Sequence, residues 1–209
     1  MKKLLLSILF VAFSLMVSAQ TQLSENQSNE VIATLTKAAT SMQTMQCRFV
    51  QEKTSTMLAE LSVAEGTMHY AAPNRMRWEY TKPYAFALVV NGERIVKVTD
   101  GKAEVLEGNA GRMYQGMVNL IMGSASGQNL FDKSVFDVVL YDDGSFWKAE
   151  MTPKRRDMKR MFSQLVFRFD KKTNSISRVE FVEAGGGLTS IRFEEIKVNE
   201  AIGDEVFAE

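Results

Sequence analysis

Apolar and polar positions along this chain keep no single period, and the places where the period changes mark its elements. The first apolar run, Leu4 to Val17, follows Lys2 and Lys3 and ends at the small residues Val17-Ser18-Ala19. That order predicts a secretory leader, residues 1–19, removed after Ala19; the run is short for a bilayer span. No cysteine stands beside the cleavage site, so the mature N-terminus is not expected to carry a lipid. Thr21 to Asn29 is polar and is predicted to fray. Val31, Ile32, Leu35, Ala38, Ala39, Met42 and Met45 then recur three and four apart, which sets them on one stripe of a helix. Ser28 can cap that helix, or Ser24 with Gln27 can form an earlier capping box.

From Cys47 onward the period is two. Cys47, Phe49 and Gln51 alternate with Arg48, Val50 and Glu52. Gly66, Met68 and Tyr70 alternate with Thr67 and His69, and Met76, Trp78 and Tyr80 with Arg75, Arg77 and Glu79. Pro73-Asn74, Lys82-Pro83, Asn91-Gly92 and Asp100-Gly101 punctuate the runs, and the last two are strong hairpin turns. Residues 111 to 131 break the rhythm with Met113, Met117, Leu120 and Ile121 at helical spacing, interrupted by Gly116, Gly123 and Gly127. Strands resume over Val135–Tyr141, Phe146–Thr152, Phe162–Phe169, Ile176–Glu183 and Leu188–Val198. The prediction is a mainly β domain, residues 20–209, built on one large antiparallel sheet. Two helical pieces are too few to cover such a sheet, so it should curl, with the helices plugging its concave side.

Charge and chemistry narrow the function. Lys and Arg number 25 against 25 Asp and Glu, and loss of Lys2 and Lys3 leaves the mature chain slightly acidic. Nucleic-acid binding needs a basic patch that this balance does not supply, so no nucleic-acid partner is expected. A single histidine, His69, and a single cysteine, Cys47, exclude a disulfide framework and a histidine- or cysteine-rich metal centre. Cys47 is expected to be buried apolar filler. Lys154, Arg155, Arg156, Lys159 and Arg160 form the one basic cluster and read as a solvated loop. No nucleophile sits with a base, so neither an enzyme nor a cofactor is expected. What the chain has in quantity is soft apolar material: 13 Met and 13 Phe. Methionine repacks around variable shapes and recurs at adaptable binding surfaces.

The stretch EGTMHYAAPNRMRWEYTKP, followed by VVNGERIVKV, resembles the LolA family, periplasmic carriers of outer-membrane lipoproteins. The marks are Phe49 and Gln51 in RFVQ, the strand led by Gly66, and then Pro73, Trp78, Tyr80, Pro83 and Gly92. The resemblance implies an open, incomplete β-barrel with a helical lid over an apolar cavity. It implies a soluble, monomeric periplasmic protein that carries acylated lipoprotein cargo. The partners implied are an inner-membrane ABC transporter of the LolCDE type and an outer-membrane receptor of the LolB type. Ala72 stands where the family has an arginine associated with holding the lid shut; Arg75 and Arg77, the nearest alternatives, fall on the strand's polar face in this register.

Combining alternation with the resemblance, the expected lipid-binding residues are Phe49, Met68, Tyr70, Met76, Trp78, Phe86, Leu88 and Val90 on the sheet. Met113, Met117 and Ile121 are expected from the lid. An acid at Phe49, Trp78 or Leu88 is expected to impair loading without unfolding the chain. Proteins of this fold also serve as lipid-binding sensors or as carriers of lipid or pigment intermediates. Sensors usually add a C-terminal domain, for which a chain ending at Glu209 is expected to have no room.

Overall fold

The computed structural model describes residues 20–55, 61–107 and 130–209. The leader and its cleavage point lie outside these residues. So do Met113, Met117 and Ile121 of the expected lid.

Helix α1 (Glu25–Thr40) uses the earlier of the two capping choices. The Ser24 hydroxyl accepts from the Gln27 N–H, and the Gln27 side chain accepts from the Ser24 N–H at 3.0 Å. The helix therefore starts at Glu25, inside the stretch expected to fray. Just before it, β1 (Thr21–Gln22) pairs with the strand at Tyr141 and Asp142. The Ser24–Gln27 box was one of the two caps the sequence offered, whereas β1 was hidden because a two-residue edge strand needs no apolar residues. Val31, Leu35 and Ala39 are the buried stripe of α1. Met42 and Met45 lie past its end, and Met45 belongs to the first long strand.

That strand, β2 (Thr44–Thr54), opens a meander with β3 (Leu61–Ala71), β4 (Arg75–Lys82), β5 (Phe86–Asn91), β6 (Arg94–Thr99) and β7 (Lys102–Val105). The expected turns are in place: Gly92, Asp100 and Gly101 all take positive φ. After the insert come β8 (Phe136–Asp143), β9 (Phe146–Pro153), β10 (Phe162–Asp170), β11 (Ile176–Glu183) and β12 (Leu188–Val198). The basic cluster expected as a loop contains a six-residue helix, α2 (Arg156–Met161), between β9 and β10. Asp157 in its first turn and Lys159 and Arg160 in its last suit the helix dipole.

All the strands join one antiparallel sheet in the order β1-β8-β9-β10-β11-β12-β2-β3-β4-β5-β6-β7. The two chain halves meet where β12 pairs with β2. The sheet does not close: β1 and β7 are its edges, both short and exposed, which limits edge-to-edge association. Laid flat, such a sheet would be roughly 50 Å across at the usual strand spacing. Yet Phe136 and Leu140 of β8 share one buried cluster with Val90 and Ile95, near the other edge. The sheet must therefore wrap around its apolar face. Register shifts between β3 and β4, β10 and β11, and β12 and β2 supply local bends. Val31 and Leu35 of α1 enter the same cluster, so the helix lies on the inner side.

The outer face is mainly polar; Val166 of β10 is buried on it, and its broadest apolar patch lies across β5 and β6. There Ala87, Val89 and Val96 are also buried. The C-terminal segment covers this side: a short turn, Asp204–Phe207, packs on β4 and β5 and buries Phe207.

Candidate functional site

Cross-strand register assembles the expected sheet residues on one face. Met76 is opposite Val90, Trp78 opposite Leu88, and Tyr80 opposite Phe86. On the β3 side, Tyr70 faces Met76 and Met68 faces Trp78. Phe49 is opposite Gly66 on one side and Phe193 on the other. Phe49, Met68, Tyr70, Met76, Trp78, Leu88 and Val90 are buried, and Phe86 is half-buried. The run Ala85 to Val90, apolar on both faces, thus has Phe86, Leu88 and Val90 inward.

Gly66 explains how the rings fit. A Cβ at this position would lie 2.0 Å from the Glu79 carbonyl oxygen and 2.5 Å from the Phe49 ring. The missing side chain lets Phe49 lie across β3 and stack on Trp78, with centroids 4.2 Å apart. Tyr80 meets Phe49 edge-on at 5.2 Å and stacks on Phe86 at 4.7 Å. Tyr84, 55% exposed, stacks on Phe86 at 5.9 Å. An aromatic path thus runs from the surface at Tyr84 to the interior at Trp78. The Tyr80 hydroxyl donates to Gln51 Oε1 at 2.9 Å, which holds the middle of the path in place.

The apolar face extends beyond the expected residues. Phe136, Leu140, Met151, Leu165, Phe167, Val179 and Phe193 continue it through the other half of the sheet. Their strands show the same alternation, so the signal was present; the family marks drew attention to β2–β5. Cys47 lies in this face, and burial pushes its thiol up to about 12. It is a protonated apolar filler, as expected.

Among the described residues, several inner side chains are fully enclosed. Met45, Val90, Met151 and Leu165 have no exposed surface. A crevice between α1 and the start of β11, lined by Leu35, Ala39, Met42, Phe169 and Ile176 among others, holds about 10 Å³, barely one water. Among the described residues, the inner side chains thus pack against one another. Two polar atoms interrupt this packing. Trp78 Nε1 and Thr99 Oγ1 are buried without a hydrogen-bond partner, each at a cost of about 1–3 kcal/mol. Lys97 lies between them on the same face: it is opposite Leu88, and its ammonium is 6.0 Å from the centre of the Phe86 ring.

The outer face of β3–β5 does different work. Arg75 binds Asp204 at 2.6 Å, and its guanidinium stands over the Phe207 ring at 4.8 Å. Arg77 binds Glu79 at 2.8 Å and donates to the Ala208 carbonyl. Arg94 grips Glu209 through two hydrogen bonds. Arg75 and Arg77 are therefore engaged on the side away from the interior, and neither replaces the family arginine at Ala72. His69 faces the same way, opposite Arg77. Burial holds its imidazole below the usual pKa, the Glu79 carboxylate pulls in the opposite direction, and Arg77 adds to the lowering.

The family of the outer membrane lipoprotein carrier protein LolA matches residues 40–209. The chain belongs to the LolA family. An outer-membrane lipoprotein carrier protein of Methylobacillus flagellatus is 26% identical over 164 residues, 78% of this chain and 76% of that protein. One from Pseudomonas fluorescens is 26% identical over 188 residues, 89% of this chain and 86% of its own length. The fold is shared with the lipoprotein LppX of Mycobacterium tuberculosis (TM-score 0.54, 14% identity, 86% of this chain and 99% of that one). It is also shared with an uncharacterized conserved protein from Thermus thermophilus (TM-score 0.55, 11% identity, 88% and 94%). The aromatic and methionine-lined inner face is the candidate site on the geometry described above.

Proposed function

We propose that this protein is a periplasmic carrier of acylated lipoproteins that shelters acyl chains against the inner face of its sheet. It takes cargo from an inner-membrane ABC transporter of the LolCDE type and yields it to an outer-membrane receptor of the LolB type. No bond-making step is needed, and the protein acts by binding alone. The observation that carries this reading is the continuous inner surface of Met, Phe, Trp and Tyr side chains, wrapped by an open sheet and plugged by one amphipathic helix.

Inner side chains that already cover one another fit a carrier that must let go. Each buried methylene contributes about 0.8 kcal/mol, so a fully sheltered palmitoyl chain gains about 12 kcal/mol. A rigid, empty cavity would keep that whole gain and hold the cargo too tightly. Here the cargo must displace side chains that already cover one another, and it keeps only the difference. Flexible methionines lower the cost of that exchange.

Native mass spectrometry of the protein purified from its own periplasm tests this. A bound mass carrying acyl chains and a polypeptide supports lipoprotein carriage. A population that is wholly ligand-free, or that carries only a non-acylated molecule, contradicts it.

A further inference from the structure

We propose that the unpartnered donors of the inner face, Trp78 Nε1–H above all and the Thr99 hydroxyl with it, receive the ester carbonyl oxygens of the cargo's acyl chains. The proposal rests on the carrier reading and adds to it a site for the cargo's linkage region.

Trp78 is 3% exposed, and its Nε1 has no hydrogen-bond partner. A protein interior rarely leaves a donor in this state, because an apolar isostere would remove the penalty. Phenylalanine would keep the stack on Phe49, so stacking alone does not call for an indole. Thr99 repeats the pattern two strands away: its hydroxyl is buried and unpaired on the face that also holds Phe86, its cross-strand neighbour. Leu88 and Phe86 of β5 lie between the two donors, with Lys97 beside them. Of the other neighbours of Trp78 on this face, Met68, Leu88 and Phe193 are apolar, and Tyr80, with its ring centroid 6.4 Å away, has its hydroxyl engaged by Gln51.

Such an arrangement matches one part of an acylated glyceryl group. Its chains offer only methylenes, while the start of each chain offers a carbonyl that accepts hydrogen bonds and donates none. Trp78 Nε1, at the inner end of the aromatic path, and the Thr99 hydroxyl, beside Phe86 farther out on it, would fix where the chains begin. They would also favour ester-linked chains over hydrocarbon as such, because only the ester satisfies a donor that is otherwise stranded.

The test compares two lipopeptides of one sequence, the first with two ester-linked palmitoyl chains and the second with two ether-linked hexadecyl chains. The expected result is that the wild-type protein binds the ester form about fivefold or more tightly than the ether form. Trp78→Phe should abolish most of that preference, and Thr99→Val part of it, read as the ratio of the two affinities within each variant. The indole N–H proton resonance of Trp78 should move markedly farther downfield with the ester form than with the ether form, as a new hydrogen bond requires. Equal binding of both lipopeptides by the wild type, with an indole resonance no farther downfield for the ester form than for the ether form, overturns the proposal and leaves the carrier reading standing. Failure of the wild type to bind either one sinks both. The wild-type ratio and resonance decide the matter even where Trp78→Phe does not fold.

Discussion

Gly66 is the residue on which the aromatic stack turns. A methyl group there would meet a backbone carbonyl, which cannot swing aside as a side chain can, as well as the Phe49 ring. Gly66→Ala is expected to cost about 1–3 kcal/mol, read as a lower urea midpoint, with near-ultraviolet circular dichroism reporting loss of the Phe49–Trp78 stack. The sequence marked this glycine as the head of a strand; only the register shows that a ring from the neighbouring strand takes its place. His69 gives a second test at this scale. Its folded pKa lies below the unfolded value of about 6.5, so the unfolded chain binds the extra proton. The stability it contributes is present above about pH 6.5 and is lost as pH falls through the folded value. Melting temperature should therefore drop on acidification from neutral pH, and His69→Gln should flatten that part of the curve.

At the scale of elements, most of the chain was legible because each strand carries its own alternation and each hairpin its own turn residues. Ile176–Glu183 and Leu188–Val198 coincide with the strands as formed. The features that were not legible lack a periodic signal. The strand β1 is two polar residues long, α2 is a single charged turn and a half, and the C-terminal turn depends on one phenylalanine. That turn explains why β5 is apolar on both faces: Phe207 covers the side opposite the candidate site. Phe207→Ala is expected to destabilise the fold by about 3 kcal/mol in chemical denaturation and to increase hydrogen exchange at Val89 and Val96. Loading of cargo in the folded fraction should stay unchanged, since the outer face takes no part in it.

On the scale of the whole molecule, alternation tells which residues share a face but not how far the sheet wraps. Pairing of β12 with β2 and the shared core of Phe136 with Val90 are non-local facts. They were legible only through the family resemblance. Neither alternation nor the resemblance told how deeply the individual inner side chains are buried. Phe49 and Trp78 were expected to tolerate an acid, but they are 1% and 3% exposed, and Leu88 is 8%. A buried, unpaired carboxylate at any of these would unfold the protein rather than merely empty it. Phe86 is the useful position, being half-buried on the aromatic path. Phe86→Glu should leave the melting temperature within a few degrees of wild type and reduce capture of a fluorescent lipopeptide severalfold.

Everything at this scale depends on the inner face parting to admit hydrocarbon. The chain has two tryptophans, Trp78 on the candidate site and Trp147 in the other half of the sheet. The direct measurement is fluorescence quenching in Trp147→Phe by a lipopeptide whose acyl chains carry mid-chain bromines, which quench only at contact range. The account predicts strong quenching of Trp78, saturating with lipopeptide and absent with the same peptide lacking its chains. Unchanged Trp78 emission at concentrations where the lipopeptide is bound would place the chains elsewhere and contradict it.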